Sequence, residues 1–93
     1  MYVTIRSYSG SEQADALATR ESEIRQILGA IDGFKSYYLV RTTDGNAVTI
    51  SVFDDQAGAE ESTRAAAAWL GENVPDLAIS PPQVTTGEVA FSF

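Results

Sequence analysis

The sequence predicts an α+β protein whose elements run β-α-β-β-α-β, and three observations carry that reading. Two alternating stretches flank a tight Asp44-Gly45-Asn46 turn, two long segments space their apolar residues as helices do, and further alternating stretches stand near both ends of the 93 residues. Alternation with a period of two marks a half-buried strand, whereas spacings of three, four and seven mark one face of a helix.

Tyr2 to Ser9 reads as the first strand, since Val3 and Ile5 alternate with Thr4 and Arg6, and Gly10 ends it. Ser11 is a natural N-cap, with Glu12 and Asp15 in the first turn, where the helix dipole favours negative charge. From there Ala14, Leu17, Ala18, Ile24, Leu28 and Ile31 share one face, which predicts a single amphipathic helix as far as Asp32-Gly33. The second strand, Phe34 to Thr43, is joined by Asp44-Gly45-Asn46 to the third, Ala47 to Phe53. Gly and Asn tolerate positive φ, so the two strands are expected to form an antiparallel hairpin.

Asp54 or Asp55 is expected to cap a second helix running to about Asn73, with Glu60 and Glu61 near its positive end and Pro75 breaking it. Its buried stripe is thin: Ala59, Thr63, Ala66, Ala67, Leu70 and Val74. Such small side chains let a helix sit close to a sheet, or leave room beneath it. Asp76 to Gln83, with Pro81-Pro82, reads as an extended crossing segment. Val84 to Phe93 is expected as the fourth strand, with Val89, Phe91 and Phe93 alternating against Glu88, Ala90 and Ser92.

A chain of this length is expected to form one domain, residues 1–93, burying roughly 60–65% of the surface of its unfolded form. Thirteen acidic residues outnumber six scattered basic ones, for a net charge of −7. No basic stripe offers itself to phosphates, so neither nucleic acid nor an anionic membrane is an expected partner. The residues from Met1 to Tyr8 lack the pattern of a signal peptide and no segment has the length of a membrane span, which predicts a cytoplasmic location. Cysteine and histidine are both absent. Thiolate nucleophiles, imidazole bases, disulfides and the usual zinc sites are therefore closed to this chain, and no metal or cofactor is expected. Asp54-Asp55 with Glu60-Glu61 could suggest a carboxylate metal site, but the start of a helix explains both pairs and no calcium-loop spacing is present.

Elements in this order build a two-layer, ferredoxin-like sandwich: a four-stranded antiparallel sheet with two helices on one face. The other face then needs a cover. Tyr2, Tyr8, Tyr37, Tyr38, Phe53, Phe91 and Phe93 place large rings on both registers, and a bare aromatic sheet is a larger patch than monomers tolerate. A second copy packed sheet to sheet about a two-fold axis covers it most simply.

The run Gly33-Phe34-Lys35-Ser36-Tyr37-Tyr38-Leu39-Val40, then Asp44-Gly45, then Val48-Thr49-Ile50-Ser51-Val52-Phe53 leading into Asp54-Asp55 and a helix, with the closing Gly87-Glu88-Val89, carries a family resemblance. It resembles the antibiotic biosynthesis monooxygenase-like domains of the dimeric α+β barrel superfamily. The resemblance implies the homodimer and a small aromatic or quinol ligand. It spans a range of activities: cofactor-independent monooxygenases, quinol monooxygenases, haem-degrading enzymes and proteins without known activity. The cofactor-free oxygenases let an electron-rich, deprotonated substrate reduce O₂ itself, while the protein excludes water and favours the substrate anion. Groups suited to that work here are Arg6, Tyr8, Tyr37, Tyr38, Arg41, Trp69 and Asn73. Haem-degrading relatives bind iron through a histidine on the second helix, which this chain does not have, so haem is not expected.

Each group has a plainer reading too. Trp69 lines a pocket between helix and sheet, or else covers the helix edge or the dimer seam. Arg6 and Arg41 need an anion, either from a ligand or from Glu88 or an Asp across the sheet. The tyrosines are ordinary strand residues before they are pocket residues. Three functions stay open at this level: an oxygenase-like enzyme, a ligand-binding or sensing dimer, and a structural or interaction dimer.

Overall fold

A computed structural model describes residues 1–77 and 82–93. The elements are β1 (Tyr2–Tyr8), α1 (Glu12–Ala18), α2 (Glu21–Gly29), β2 (Phe34–Arg41), β3 (Ala47–Phe53), α3 (Gln56–Leu77) and β4 (Gln83–Glu88). All neighbouring strands are antiparallel, in the order β2-β3-β1-β4. That is the ferredoxin-like α+β arrangement, with three helices instead of two. Residues 78–81 of the crossing segment read between Asp76 and Gln83 lie outside the described residues.

The single first helix is in fact two. Arg20 leaves the helical region at φ −116° and ψ 25°, while the Thr19 hydroxyl donates back to the Ala16 carbonyl at 2.7 Å. A β-branched residue that hydrogen-bonds its own preceding turn competes with helix propagation there. The break turns Ala18 out to solvent, although its spacing had put it on the buried face.

In the second helix the surprise is opposite. Pro75 does not end α3, which continues to Leu77. Proline forfeits its own ladder bond and crowds the turn before it, yet here the helix outlasts it by two residues. Asp55 is the N-cap the sequence suggested, its Oδ1 accepting the Gly58 N–H at 3.0 Å. In the helix's stripe Ala59 and Leu70 are buried, but Ala67 is exposed and Ser62 takes a fully buried place. At the far end β4 stops at Glu88, short of the expected Phe93. Val89 N–H still reaches the Met1 carbonyl at 2.9 Å, one residue past the last paired position.

Strand register divides the sheet into two unlike faces. Directly opposed residues share a face, so Tyr2, Thr4, Arg6 and Tyr8 stand with Phe53, Ser51, Thr49 and Ala47 and, on β2, with Phe34, Tyr37, Leu39 and Arg41. The helices pack on this set, through Ala14, Leu17 and Leu70 at one end and Leu28 and Ala59 at the other. Val3, Ile5, Val48, Ile50 and Val52 point the other way, with Ser36, Tyr38 and Val40. A bulge between Phe34 and Ser36 decides which tyrosine turns inward. One extra residue there lets Phe34 and Tyr37 share the helix face, and Phe34 meets Phe53 edge-to-face at 5.8 Å.

The rings are therefore not spread over both faces as the sequence suggested. Tyr2, Tyr8, Tyr37 and Phe53 lie on the helix side, only Tyr38 lies on the back, and Phe91 and Phe93 stand beyond β4. The back is apolar through branched aliphatics instead.

Gly58 lets α3 approach closely. A Cβ there would lie 3.0 Å from the Asp32 carbonyl oxygen and 3.2 Å from the Phe53 Cβ, both in packed surroundings. Gly58→Ala should gain about 1 kcal/mol of helix propensity and lose more to that collision. Its urea midpoint is expected to fall; a rise would show that the Asp32–Gly33 turn yields freely.

Candidate functional site

Two voids adjoin between the helices and the sheet. The larger, about 430 Å³, is an open cleft bounded by Leu17, Ala18, Glu21, Ile24, Arg25 and Leu28 from the helices and by Phe34, Ser36, Tyr37 and Leu39 from β2. The smaller, about 40 Å³, is lined by Arg6, Tyr8 and Thr49 together with Ala66, Trp69, Leu70 and Ile27. Leu17, Ile24, Leu28 and Tyr37 belong to both walls. Alternation along β1 and β3 puts the polar groups here, because Val3, Ile5, Val48 and Ile50 occupy the other register.

Arg6 is the central group, only 3% exposed. Its Nη1 donates to Ser51 Oγ at 3.5 Å and its Nη2 to Ser62 Oγ at 3.3 Å, both long contacts. Burial draws its pKa below the ordinary value, opposed by nearby Tyr8 and Tyr37. A guanidinium remains charged all the same. Tyr8 is pushed up to about 12, mainly by burial and then by Tyr37. Burial also raises Tyr37, a shift that a hydrogen bond with Thr49 and the charge of Arg6 partly reverse. At neutral pH both phenols keep their protons and are able to donate. Thr4, on the same face, has a buried hydroxyl without a partner among the described residues.

Of the residues singled out in the sequence, Arg6, Tyr8, Tyr37 and Trp69 come together at this chamber. Trp69 is half-buried, and its indole N–H donates to Glu23 Oε2 at 3.0 Å. That bond and one from Arg20 hold the Glu23 carboxyl below its usual range. Asn73 stands a turn along α3, donating to the Trp69 carbonyl and accepting from Arg20 Nη1 at 3.2 Å. Arg41 is tied to Asp15 at 2.7 Å on the surface, and Tyr38 is 55% exposed on the opposite face. Neither Tyr38 nor Arg41 lines either void.

Sequence reasoning missed Thr49, Ser51 and Ser62. The signal for Thr49 and Ser51 was present as short hydroxyl residues alternating with Val48, Ile50 and Val52, a register more often turned to solvent; Ser62, on α3, stood among small residues with nothing to mark it. The carboxylates weighed as a metal site have other partners. Asp54 pairs with Lys35 at 2.9 Å, Asp55 caps α3, Gln56 donates to Glu60 and Arg64 holds Glu61. Among the described residues no three such side chains gather as ligands, and no helix is long and apolar enough to cross a membrane.

Fold and voids define the class: a ferredoxin-like α+β protein with a cleft between its helical layer and its sheet. No family model and no curated protein matches the chain. Its fold is that of the antibiotic biosynthesis monooxygenase-like structures. A monooxygenase from the gene ActVA-Orf6 of Streptomyces coelicolor, solved with the ligand nanaomycin D, superposes with a TM-score of 0.75 at 16% identity, covering 99% of this chain and 89% of that one. A point mutant of MhuD, holding two manganese protoporphyrin IX molecules per active site, gives 0.77 at 12% identity over 100% and 98%. A dimeric ferredoxin-like protein from an uncultured marine organism gives 0.67 at 11% over 99% and 94%.

The porphyrin of the second neighbour does not fit the donors of this cleft. The chain has no histidine or cysteine to ligate a metalloporphyrin.

Burial of the Tyr8 phenol has a consequence for stability. Its pKa is higher folded than unfolded, so its neutral form stabilises the fold fully below pH 10, and that contribution is lost as pH rises from 10 towards about 12. A shift of this size corresponds to about 2–3 kcal/mol. Urea melts at pH 9 and 11.5 should show the loss, and Tyr8→Phe should remove most of it; an equal loss in the variant would assign it to other groups.

Proposed function

We propose that this chain works as a homodimer, packed sheet to sheet, and oxidises a small aromatic or quinol compound with O₂ in the cleft, without metal or flavin. The observation that carries the reading is the apolar-walled cleft of about 430 Å³ adjoining the chamber of Arg6, Tyr8 and Tyr37. A ring system has room in the first, and its ionised form is favoured by the second. The Streptomyces coelicolor monooxygenase, of the same fold, supports the reading with its bound nanaomycin D.

In the reaction the substrate is its own reductant. A ring methylene flanked by a phenol loses a proton to solvent through the open cleft, and the carbanion combines with O₂ to give a peroxide. The peroxide takes up the proton and loses water, leaving a carbonyl: R₂CH₂ + O₂ → R₂C=O + H₂O. The methylene gives up four electrons and the oxygen molecule accepts four, so no external reductant enters. The protein's work is to bind the ring and lower the free energy of the anion.

The back of the sheet supports the dimer. Val3, Ile5, Val48, Ile50, Val52, Tyr38 and Val40 share it with Ser7, Ser36, Gln83, Thr85 and Gly87. Not one of these residues is charged, in a chain with thirteen acidic and six basic residues. Two copies of net charge −7 approach with least repulsion there, and the aliphatic side chains are of the kind that obligate interfaces bury. The dimeric ferredoxin-like neighbour supports the same assembly.

Light scattering should give twice the 10.0 kDa chain mass, and Ile50→Lys should yield monomers; a wild-type monomer at micromolar concentration overturns the assembly. In an oxygen electrode, anthrone should be consumed with equimolar O₂ to the ketone and water, and a hydroquinone, which has no ring methylene, with equimolar O₂ to the quinone and H₂O₂, both insensitively to EDTA. Ile24→Trp, which puts a larger ring at the wall shared by both voids, should slow this at least tenfold with the circular dichroism unchanged. Uptake no faster than in buffer across both substrates overturns the oxidation.

A further inference from the structure

We infer that the chamber around Arg6 is an oxyanion subsite, and that the ligand of the cleft is a planar, apolar molecule bearing a group already ionised at neutral pH, a carboxylate or an acidic phenolate.

Ion pairing in the structure is inverted. Five basic residues, Arg20, Arg25, Lys35, Arg41 and Arg64, each hold a carboxylate, and all five of these pairs lie on the surface. Arg6, the sixth and the only buried one, has no carboxylate partner among the described residues. Its acceptors are two serine hydroxyls at 3.5 and 3.3 Å. Among the described residues these contacts engage Nη1 and Nη2, each at long distance. A cation withdrawn from water calls for a formal negative charge, which hydroxyl dipoles replace only in part.

The chamber supplies room for that charge and little more. A water needs roughly 10–15 Å³, so about 40 Å³ admits a carboxylate-sized head with its oxygens but no ring. The ring goes into the adjoining 430 Å³ cleft, across the shared side chains of Leu17, Ile24 and Tyr37. No acidic side chain lines the chamber. The neutral phenols of Tyr8 and Tyr37 add donors beside the guanidinium. A guanidinium flanked by hydroxyl donors, with no carboxylate of its own, is complementary to an oxyanion and poorly matched to an amide or a neutral ring.

The inference rests on the cleft being a ligand site, and is independent of oxidation. Isothermal titration of the unmodified protein with 2-naphthoate, its neutral isostere 2-naphthamide, and 2,4-dinitrophenolate tests it. At pH 7 the naphthoate should bind at least tenfold more tightly than the amide, and Arg6→Gln should abolish that preference. Binding of dinitrophenolate in place of naphthoate would assign the phenolate as the head group. Equal affinities for acid and amide, or no binding of any of the three, overturn the inference. Should Arg6→Gln fail to fold, the wild-type comparison decides alone. An anion preference without oxygen uptake leaves this subsite standing and removes the oxidation, whereas uptake without the preference does the reverse.

Discussion

A single guanidinium held out of water organises the interior of this protein. Desolvating an ion costs several kcal/mol even after relaxation, and the fold partly offsets that at Arg6 with two buried serine hydroxyls, Ser51 on β3 and Ser62 on α3. Ser62 also donates to the Ala59 carbonyl at 2.7 Å, so it is fixed within α3 while it accepts from Arg6. The small stripe of α3 follows from the same need. Ala59, Ser62 and Ala66 let the helix come down near the sheet, and the space not taken by large side chains is the chamber.

With polar residues spent on the helix side, the aliphatic ones are left for the back. That is the reverse of a sheet that faces water, where the register away from the helices is polar. Exposed apolar residues taken singly carry no message, but a contiguous uncharged face does. The proposed dimer and the proposed site are thus two readings of one alternation.

The fold was legible in the sequence because its signals are local and redundant. The hairpin rests on Asp44-Gly45-Asn46, which the structure ties further by Gly10 N–H donating to Asn46 Oδ1 at 2.9 Å. The α3 cap rests on Asp55, and the strand order follows from the order of elements. What was not legible depends on competition between neighbours. The break at Thr19–Arg20 interrupts no apolar spacing, so periodicity could not show it. Pro75 looked terminal because its clash with the preceding turn is usually decisive. Of the site candidates, Arg6, Tyr8, Tyr37 and Trp69 converge on the chamber, and Tyr38 does not, because a one-residue bulge near Lys35 chose between two adjacent tyrosines. No pattern of apolar residues announces such a bulge.

Register is what makes these features inseparable. Sliding β1 by one residue against β3 would carry Arg6 to the uncharged back and bring Ile5 under the helices, exposing one charge to an apolar face and burying an aliphatic chain among hydroxyls. Neither half of that exchange is tolerable, so the slip is opposed on both faces at once. A second copy on the back would add its packing to the same strands, holding Val3, Ile5, Val48 and Ile50 and thereby the backbone from which Thr4, Arg6 and Thr49 project. Rigid support of this kind is what a charged group needs if it is to meet its ligand without reorganising. The apolar back of the sheet is in this sense the foundation of the polar chamber on its front.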